Sequence, residues 1–291
     1  MATQTIALRK RPASPRKVVR LTFSYGLLIL VTLLISVPII WLLVTSIKTD
    51  VEYNVWPIQF LPKVAQWKNY AEVFAAKHHI FRYARNSLFL AMTFTLLTII
   101  TSSLGGFAFS RFQDVPGRNK LFSIVIALLI IPGLVTVIPQ FIIFSRLGLT
   151  NTYWPWILWG LGASAYYIFM FRQFFLSFPK ELEDAAEVDG CNPFRIYLQI
   201  FLPNAKPVLA TAFIQGFSGV WGDWYLPVIY LSSKNTTLAI KIATGYINPQ
   251  GHIYVTITLA ACVVYILPLI LMFFLGQKHI LRGMVTSGIK G

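Results

Sequence analysis

Few side chains in this 291-residue sequence are of types that do acid–base, nucleophilic or metal chemistry, and fewer are spaced for it. The histidines, His78, His79, His252 and His279, are scattered, and an adjacent pair lacks the i, i+4 spacing that puts two ligands on one helical face. Cys191 falls in a polar loop and Cys262 in an apolar stretch, too few and too differently placed for a disulfide framework or a zinc site. No metal and no cofactor is therefore expected. The carboxylates behave differently: of ten, five stand between Glu181 and Asp189. Asp223 is the only acid inside a long apolar stretch. Residues 283–290, GMVTSGIK, imitate a phosphate-binding loop, but Ile289 stands where that loop requires lysine followed by Ser or Thr, so any nucleotide hydrolysis must come from another chain.

The acidic segment, FPKELEDAAEVDGCNPF, reads as a short helix. Pro179 suits a first turn, where its missing donor is not needed. The acids fall near the positive end of the helix dipole, and Gly190 supplies a stop. Leu182, Ala185, Ala186 and Asp189 follow the i, i+3, i+4, i+7 pattern of one narrow face, flanked by Glu181, Glu183, Asp184 and Glu187. Such a helix can enter a tight groove on another protein and anchor there by ion pairs to arginine; equally, it can be a solvated helix with no partner.

The elements that must position these residues are membrane helices. With 56% apolar and 12% charged residues the chain lies far from the roughly 25% charged composition of soluble domains. Apolar stretches run over 21–47, 87–110, 121–144, 153–171, 207–232 and 254–276, each near the roughly 20 residues needed to span a bilayer. The first is longer than a signal-peptide core and has no cleavage pattern after it. Six spans leave no room for a large soluble domain. The net charge of +15 would suggest nucleic acid in a soluble protein, but beside apolar spans it fixes orientation instead. With a cytoplasmic N-terminus, 16 of the 25 basic residues lie on the inner side, and all eight tryptophans fall in the outer half or outer loops. The expected plan is a basic cytoplasmic tail (1–20), a first span (21–47), a cap on the outer surface (48–82), a helical transmembrane domain (83–276) and a cytoplasmic tail (277–291).

The run EDAAEVDG, followed by Ile200, Leu202 and Pro203 in QIFLPNAKP, resembles the cytoplasmic EAA loop of permease subunits of ATP-binding-cassette importers, whose pattern is EAA, three residues, G, then I-x-LP. Asp184 stands where the pattern has Glu. Within that group the sequence is most similar to the second membrane subunit of carbohydrate importers, the maltose-permease-like type. Supporting stretches are IPGLVTVIPQFIIFSRLGLTNTY (131–153), GVWGDWYLPVIYL (219–231) and RGMVTSGIKG (282–291). The resemblance implies an all-α, six-helix, type I importer permease fold, with a coupling loop at about 179–203. Glu183, Asp184, Ala185, Ala186, Asp189 and Gly190 would dock into a cleft of an ATPase subunit. Ile200, Leu202 and Pro203 would end the loop and aim the fifth span. The implied partners are a second, homologous permease subunit, two ATP-binding-cassette ATPase subunits and an extracytoplasmic solute-binding protein. The implied cargo is a sugar or oligosaccharide, a polyol or glycerol phosphate ester being the nearest alternative.

An Asp near the centre of a spanning helix costs about 2.5 to 3.5 kcal/mol, which several apolar neighbours offset. Asp223 is thus expected to line a wet translocation route or to meet water at the outer boundary. Gly216, Gly219 and Gly222 on the same stretch suit close helix approach. Pro132, Pro139, Pro227 and Pro268 read as kinks or as tolerated residues. An ion-coupled carrier would need several buried ionisable groups, and a membrane-embedded enzyme a cluster of His, Asp or Glu at membrane depth; the sequence offers one Asp and no cluster.

Overall fold

A computed structural model describes residues 15–247 and 251–288. The basic residues 9–11, and Lys290 with the end of the glycine-rich tail, lie outside them. Among the described residues the chain is helical, with no strand and one isolated bridge between Ile247 and Ile253. The helices are α1 (Pro15–Ser46), α2 (Asp50–Asn54), α3 (Lys68–Val73), α4 (Ile80–Arg111), α5 (Arg118–Leu128), α6 (Gly133–Arg146), α7 (Trp154–Leu161), α8 (Ala165–Leu176), α9 (Glu181–Val188), α10 (Pro193–Ile196), α11 (Leu202–Asn204), α12 (Lys206–Trp221), α13 (Tyr225–Tyr230), α14 (Leu238–Ala243) and α15 (Val255–Gly288).

Three of the six apolar stretches, in α1, α4 and α15, are unbroken helices long and apolar enough to cross a bilayer. The other three are each interrupted. The stretch at 121–144 bends by 97° between α5 and α6: Pro132 has no N–H to continue α5 and disfavours helical backbone at Ile131 before it, and it stands in extended conformation (φ −63°, ψ 126°) at the N-cap of α6. The stretch at 153–171 breaks at Gly162–Ser164, where Ala163 takes a left-handed φ of 59°. The stretch at 207–232 breaks at Gly222–Trp224. Apolar composition marks membrane depth but not helix continuity, so these breaks are invisible to a hydropathy reading. The last helix shows the converse: α15 continues to Gly288, past the boundary at 276, since a helix's own hydrogen bonds do not require apolar side chains.

The central α4 packs against α7, α8 and α12. Its contact face is polar but small: Thr95, Thr98, Ser102, Ser103 and Ser110 are all buried, and they allow backbones to approach. A Cβ at Gly106 would stand 2.6 Å from Phe171 Cβ and 2.8 Å from the Arg172 backbone nitrogen. These groups also satisfy the broken α7–α8 segment, since Ser164 N–H donates to Ser102 Oγ (3.0 Å) and Thr101 Oγ1 donates to the Gly160 carbonyl (3.0 Å). Of Gly216, Gly219 and Gly222, the first approaches Thr95, the second faces open space and the third lies just past the end of α12.

The segment 48–82 ties together one end of α1 and α15. Asn69 Nδ2 donates to the Ser46 and Lys48 carbonyls (2.9 and 2.8 Å), and Asp50 Oδ1 accepts from the Thr256 N–H and hydroxyl (both 3.0 Å), capping α15 from another element.

Candidate functional site: an acidic helix and a cavity at three helix breaks

The helix expected from the acidic run is α9. It stops as its sequence dictates: Gly190 takes a φ of 77°, its N–H donates to the Glu187 carbonyl (3.0 Å), and Cys191 N–H donates to the Ala186 carbonyl (2.9 Å), a Schellman closure.

The two alanines part company. Ala186 is buried in an apolar cluster with Phe107, Phe171, Phe175, Ile196 and Phe201, whereas Ala185 is exposed. Glu183 also turns inward, to within 3.5 Å of Arg111 at the end of α4, with side chains 14% and 7% exposed. Arg111 donates further to the Phe175 and Phe178 carbonyls (2.6 and 3.0 Å) and lies 4.6 Å from the Phe201 ring centre. One guanidinium therefore joins α4, the end of α8, α9 and the segment before α12. Burial raises the Glu183 pKa, against the opposing pull of Arg111.

The face α9 leaves outward is made of Leu182, Asp184, Ala185, Val188 and Asp189, with Val188 88% exposed. The expected face of Leu182, Ala185, Ala186 and Asp189 is thus rotated, because the chain's own core claims Ala186. Arg111 carries no signal in the sequence beyond its charge; the small residues Ser102, Ser103, Gly105 and Gly106 before it mark the close approach that buries it.

After α10 the chain makes one π-helical turn, Tyr197–Phe201, with Leu202 N–H donating to the Tyr197 carbonyl. Pro203 follows with no N–H to give, and the Tyr197 hydroxyl hydrogen-bonds Ser103 Oγ of α4 (2.7 Å). Ile200, Leu202 and Pro203 therefore sit where the chain turns from the loop into α12.

Asp223 stands in the α12–α13 break. Its Oδ1 accepts from Tyr225 N–H (2.8 Å) and Leu226 N–H (3.2 Å), which starts α13 and accounts locally for an acid at this depth. It also borders a cavity of about 760 Å³ together with Gly133 at the start of α6, Ala163 and Ser164 between α7 and α8, Gln140 and Trp159. All three helix breaks thus meet at one space. Hydrogen-bonding groups (Asp223, Gln140, Ser164, Thr136) and aromatic rings (Trp159, Tyr225) share its wall, the combination of apolar lining with a few polar groups found in small-molecule sites. Sequence reasoning found only Asp223 here, since the other residues converge through breaks that hydropathy does not show.

Among the described residues no group of three or more His, Cys, Asp or Glu could hold a metal ion.

Comparison with known proteins agrees with this architecture. The arabinooligosaccharides transport system permease protein AraQ of Halalkalibacterium halodurans is 32% identical over 286 residues, covering 97% of this chain and all of that one. The lactose transport system permease protein LacG of Rhizobium radiobacter is 31% identical over 268 residues, covering 91% and 94%. The fold matches that of a chain in the crystal structure of a bacterial ABC transporter involved in the import of the acidic polysaccharide alginate, with a TM-score of 0.79 at 23% identity, covering 92% and 99%. Residues 102–286 match the family described as the binding-protein-dependent transport system inner membrane component, a stretch holding α9, Asp223 and the three helix breaks, and the chain belongs to that family: it is a non-catalytic permease subunit of an ABC transporter.

Proposed function

We propose that this chain is one of two membrane subunits of an ATP-driven importer of oligosaccharides, and that α9 is the element through which separate ATPase subunits drive it. The family description names a binding protein, and the relatives' names give arabinooligosaccharides and lactose as cargo. The cargo of this chain is thus a short sugar chain, handed over by an extracytoplasmic solute-binding protein. Six spans, with both termini in the cytoplasm, put α9 inside and the segment 48–82 outside, and each broken stretch counts as one span.

The observation that carries the reading is the two-sidedness of α9. Its inner side is locked to α4 and α8 through Ala186 and the Glu183–Arg111 pair, while Asp184, Ala185, Val188 and Asp189 face outward. A push on the outer side is therefore delivered to the helices lining the cavity rather than dissipated in a loop. Gly190 fixes the angle at which α9 leaves the docking position. The cavity at the three breaks supplies the route: Trp159 and Tyr225 can stack on sugar rings while Asp223, Gln140 and Ser164 exchange hydrogen bonds with hydroxyls.

The test is uptake by the assembled transporter bearing Ala185→Arg, with insertion and subunit assembly measured beside it. The expected result is normal insertion with uptake lost; normal uptake would remove the docking role. For the route, Asp223→Asn keeps the acceptor that starts α13, and unchanged transport by that variant would take Asp223 out of the pathway.

A further inference from the structure

At the end of α4 opposite Arg111, a second cavity of about 440 Å³ is lined by Arg82, Arg85 and Lys234, with Asn86, Asn235, Tyr153 and Phe89. Three cations and no carboxylate border it. Arg82 Nε is buried without a hydrogen-bond partner, and Arg85 and Lys234 are exposed. Like charges crowded into a concavity repel one another, so the arrangement favours an anionic occupant.

Two observations name its class. Phe81, Arg85, Leu88, Phe89, Leu96 and Ile100 fall at i, i+4, i+7, i+8, i+15 and i+19, which is one face of α4, and its apolar members are 44% to 70% exposed. Phe89 belongs both to this stripe and to the cavity wall. Arg85 and Arg111 are separated by about 39 Å of helix at 1.5 Å per residue, close to the roughly 40 to 45 Å of a bilayer with its headgroups. The cavity therefore sits at headgroup level directly above an acyl-chain-sized apolar track.

We propose that this pocket binds the headgroup of an anionic phospholipid, whose acyl chains run along Phe89, Leu96 and Ile100 of α4. A water-soluble anion would use the cations but leave the track uncovered. An acidic protein loop would use the cations without the apolar track, whereas Phe89 joins the pocket to that exposed apolar stripe of a spanning helix. The inference rests on α4 crossing the membrane, not on which leaflet its Arg82 end faces or on what is transported.

The test is native mass spectrometry of the assembled transporter in mild detergent, incubated with equimolar phosphatidylglycerol and phosphatidylcholine. The intact protein should retain phosphatidylglycerol preferentially. Each basic side chain at a membrane surface contributes about fivefold in affinity for anionic lipid, so Arg85→Gln with Lys234→Gln should lower that preference about 25-fold. Both side chains are exposed, so the variant should fold as the parent does, and Arg85→Lys should retain most of the preference. Equal retention of the two lipids, or a preference untouched by the double variant, would overturn the proposal. Displacement of the lipid by millimolar inorganic phosphate would also overturn it, by showing a free-anion site. A double variant that kept its lipid but bound the solute-binding protein more weakly would instead make this a protein-docking surface.

Discussion

Removing the guanidinium of Arg111 while keeping its alkyl volume, as in Arg111→Met, should detach α9 without unfolding the spans. In the parent, Arg111 pairs with Glu183 at 3.5 Å and donates to the Phe175 and Phe178 carbonyls. Without it Glu183 is left largely buried with no opposite charge, a situation that costs about 3 to 5 kcal/mol; the two carbonyl bonds join α4 to the end of α8 and do not enter the opening of α9. Water can reach the edge of α9, so the low end, about 3 kcal/mol, applies, and that corresponds to roughly two decades in the opening equilibrium of the helix. Hydrogen exchange read by mass spectrometry on the segment 181–191 should accelerate by that factor, while α4 and α15 keep their protection. Pairing Arg111→Met with Glu183→Gln should recover much of the loss, because the uncompensated charge is then absent. Unchanged exchange in α9, or a double variant as loose as the simple sum of its parts, would refute the idea that this pair holds the helix to the bundle.

Glu183 also sets a pH dependence: its folded pKa lies above the ordinary carboxylate value, so the docked helix binds more protons than the free one, and docking should tighten as pH falls from neutrality toward the ordinary value and loosen as pH rises through the raised one. Exchange rates of α9, corrected for intrinsic chemistry, should show this trend in the parent and lose it in Glu183→Gln. Gly106→Ala should destabilise the α4–α8 packing by about 1 to 3 kcal/mol through forced separation of backbones, whereas Gly219→Ala, facing open space, should leave the thermal inactivation temperature of the assembled transporter unchanged. Asp50→Ala should cost about 1 kcal/mol and raise exchange at the first turn of α15, since it removes a cap supplied from α2; protection unchanged at Thr256 and its neighbours would contradict that role.

How far the sequence speaks depends on which physical signal each feature uses. Apolar length alone located the unbroken spanning helices α1, α4 and α15, and the glycine after an acidic run located α9 and its end, because both are local properties. Pro132 reads as a kink or a tolerated residue, and in the structure it marks a full break. The break at Asp223 is closed by that residue's own carboxylate, whereas the break around Ala163 is not legible, since its cost is met by partners distant in sequence, Ser102 for Ser164 and Thr101 for Gly160. The orientation of α9 was misread for the same reason: helical periodicity puts Ala185 and Ala186 on one strip, but only the aromatic cluster from α4, α8 and the segment before α12 decides that Ala186 belongs to the core. Arg111 shows the limit most clearly. In the sequence it is one of many cations near a span end, and its role appears only when four elements meet around it.

The most direct test of the central claim is accumulation of labelled oligosaccharide in proteoliposomes that hold this chain with its second permease, with and without the ATPase subunits, in the presence of the solute-binding protein. Uptake should require both ATP and the ATPase subunits, and should vanish when Ala185→Arg is introduced on the outward side of α9. Accumulation by the membrane subunits alone, or full ATP-driven uptake with that substitution in place, would contradict the account.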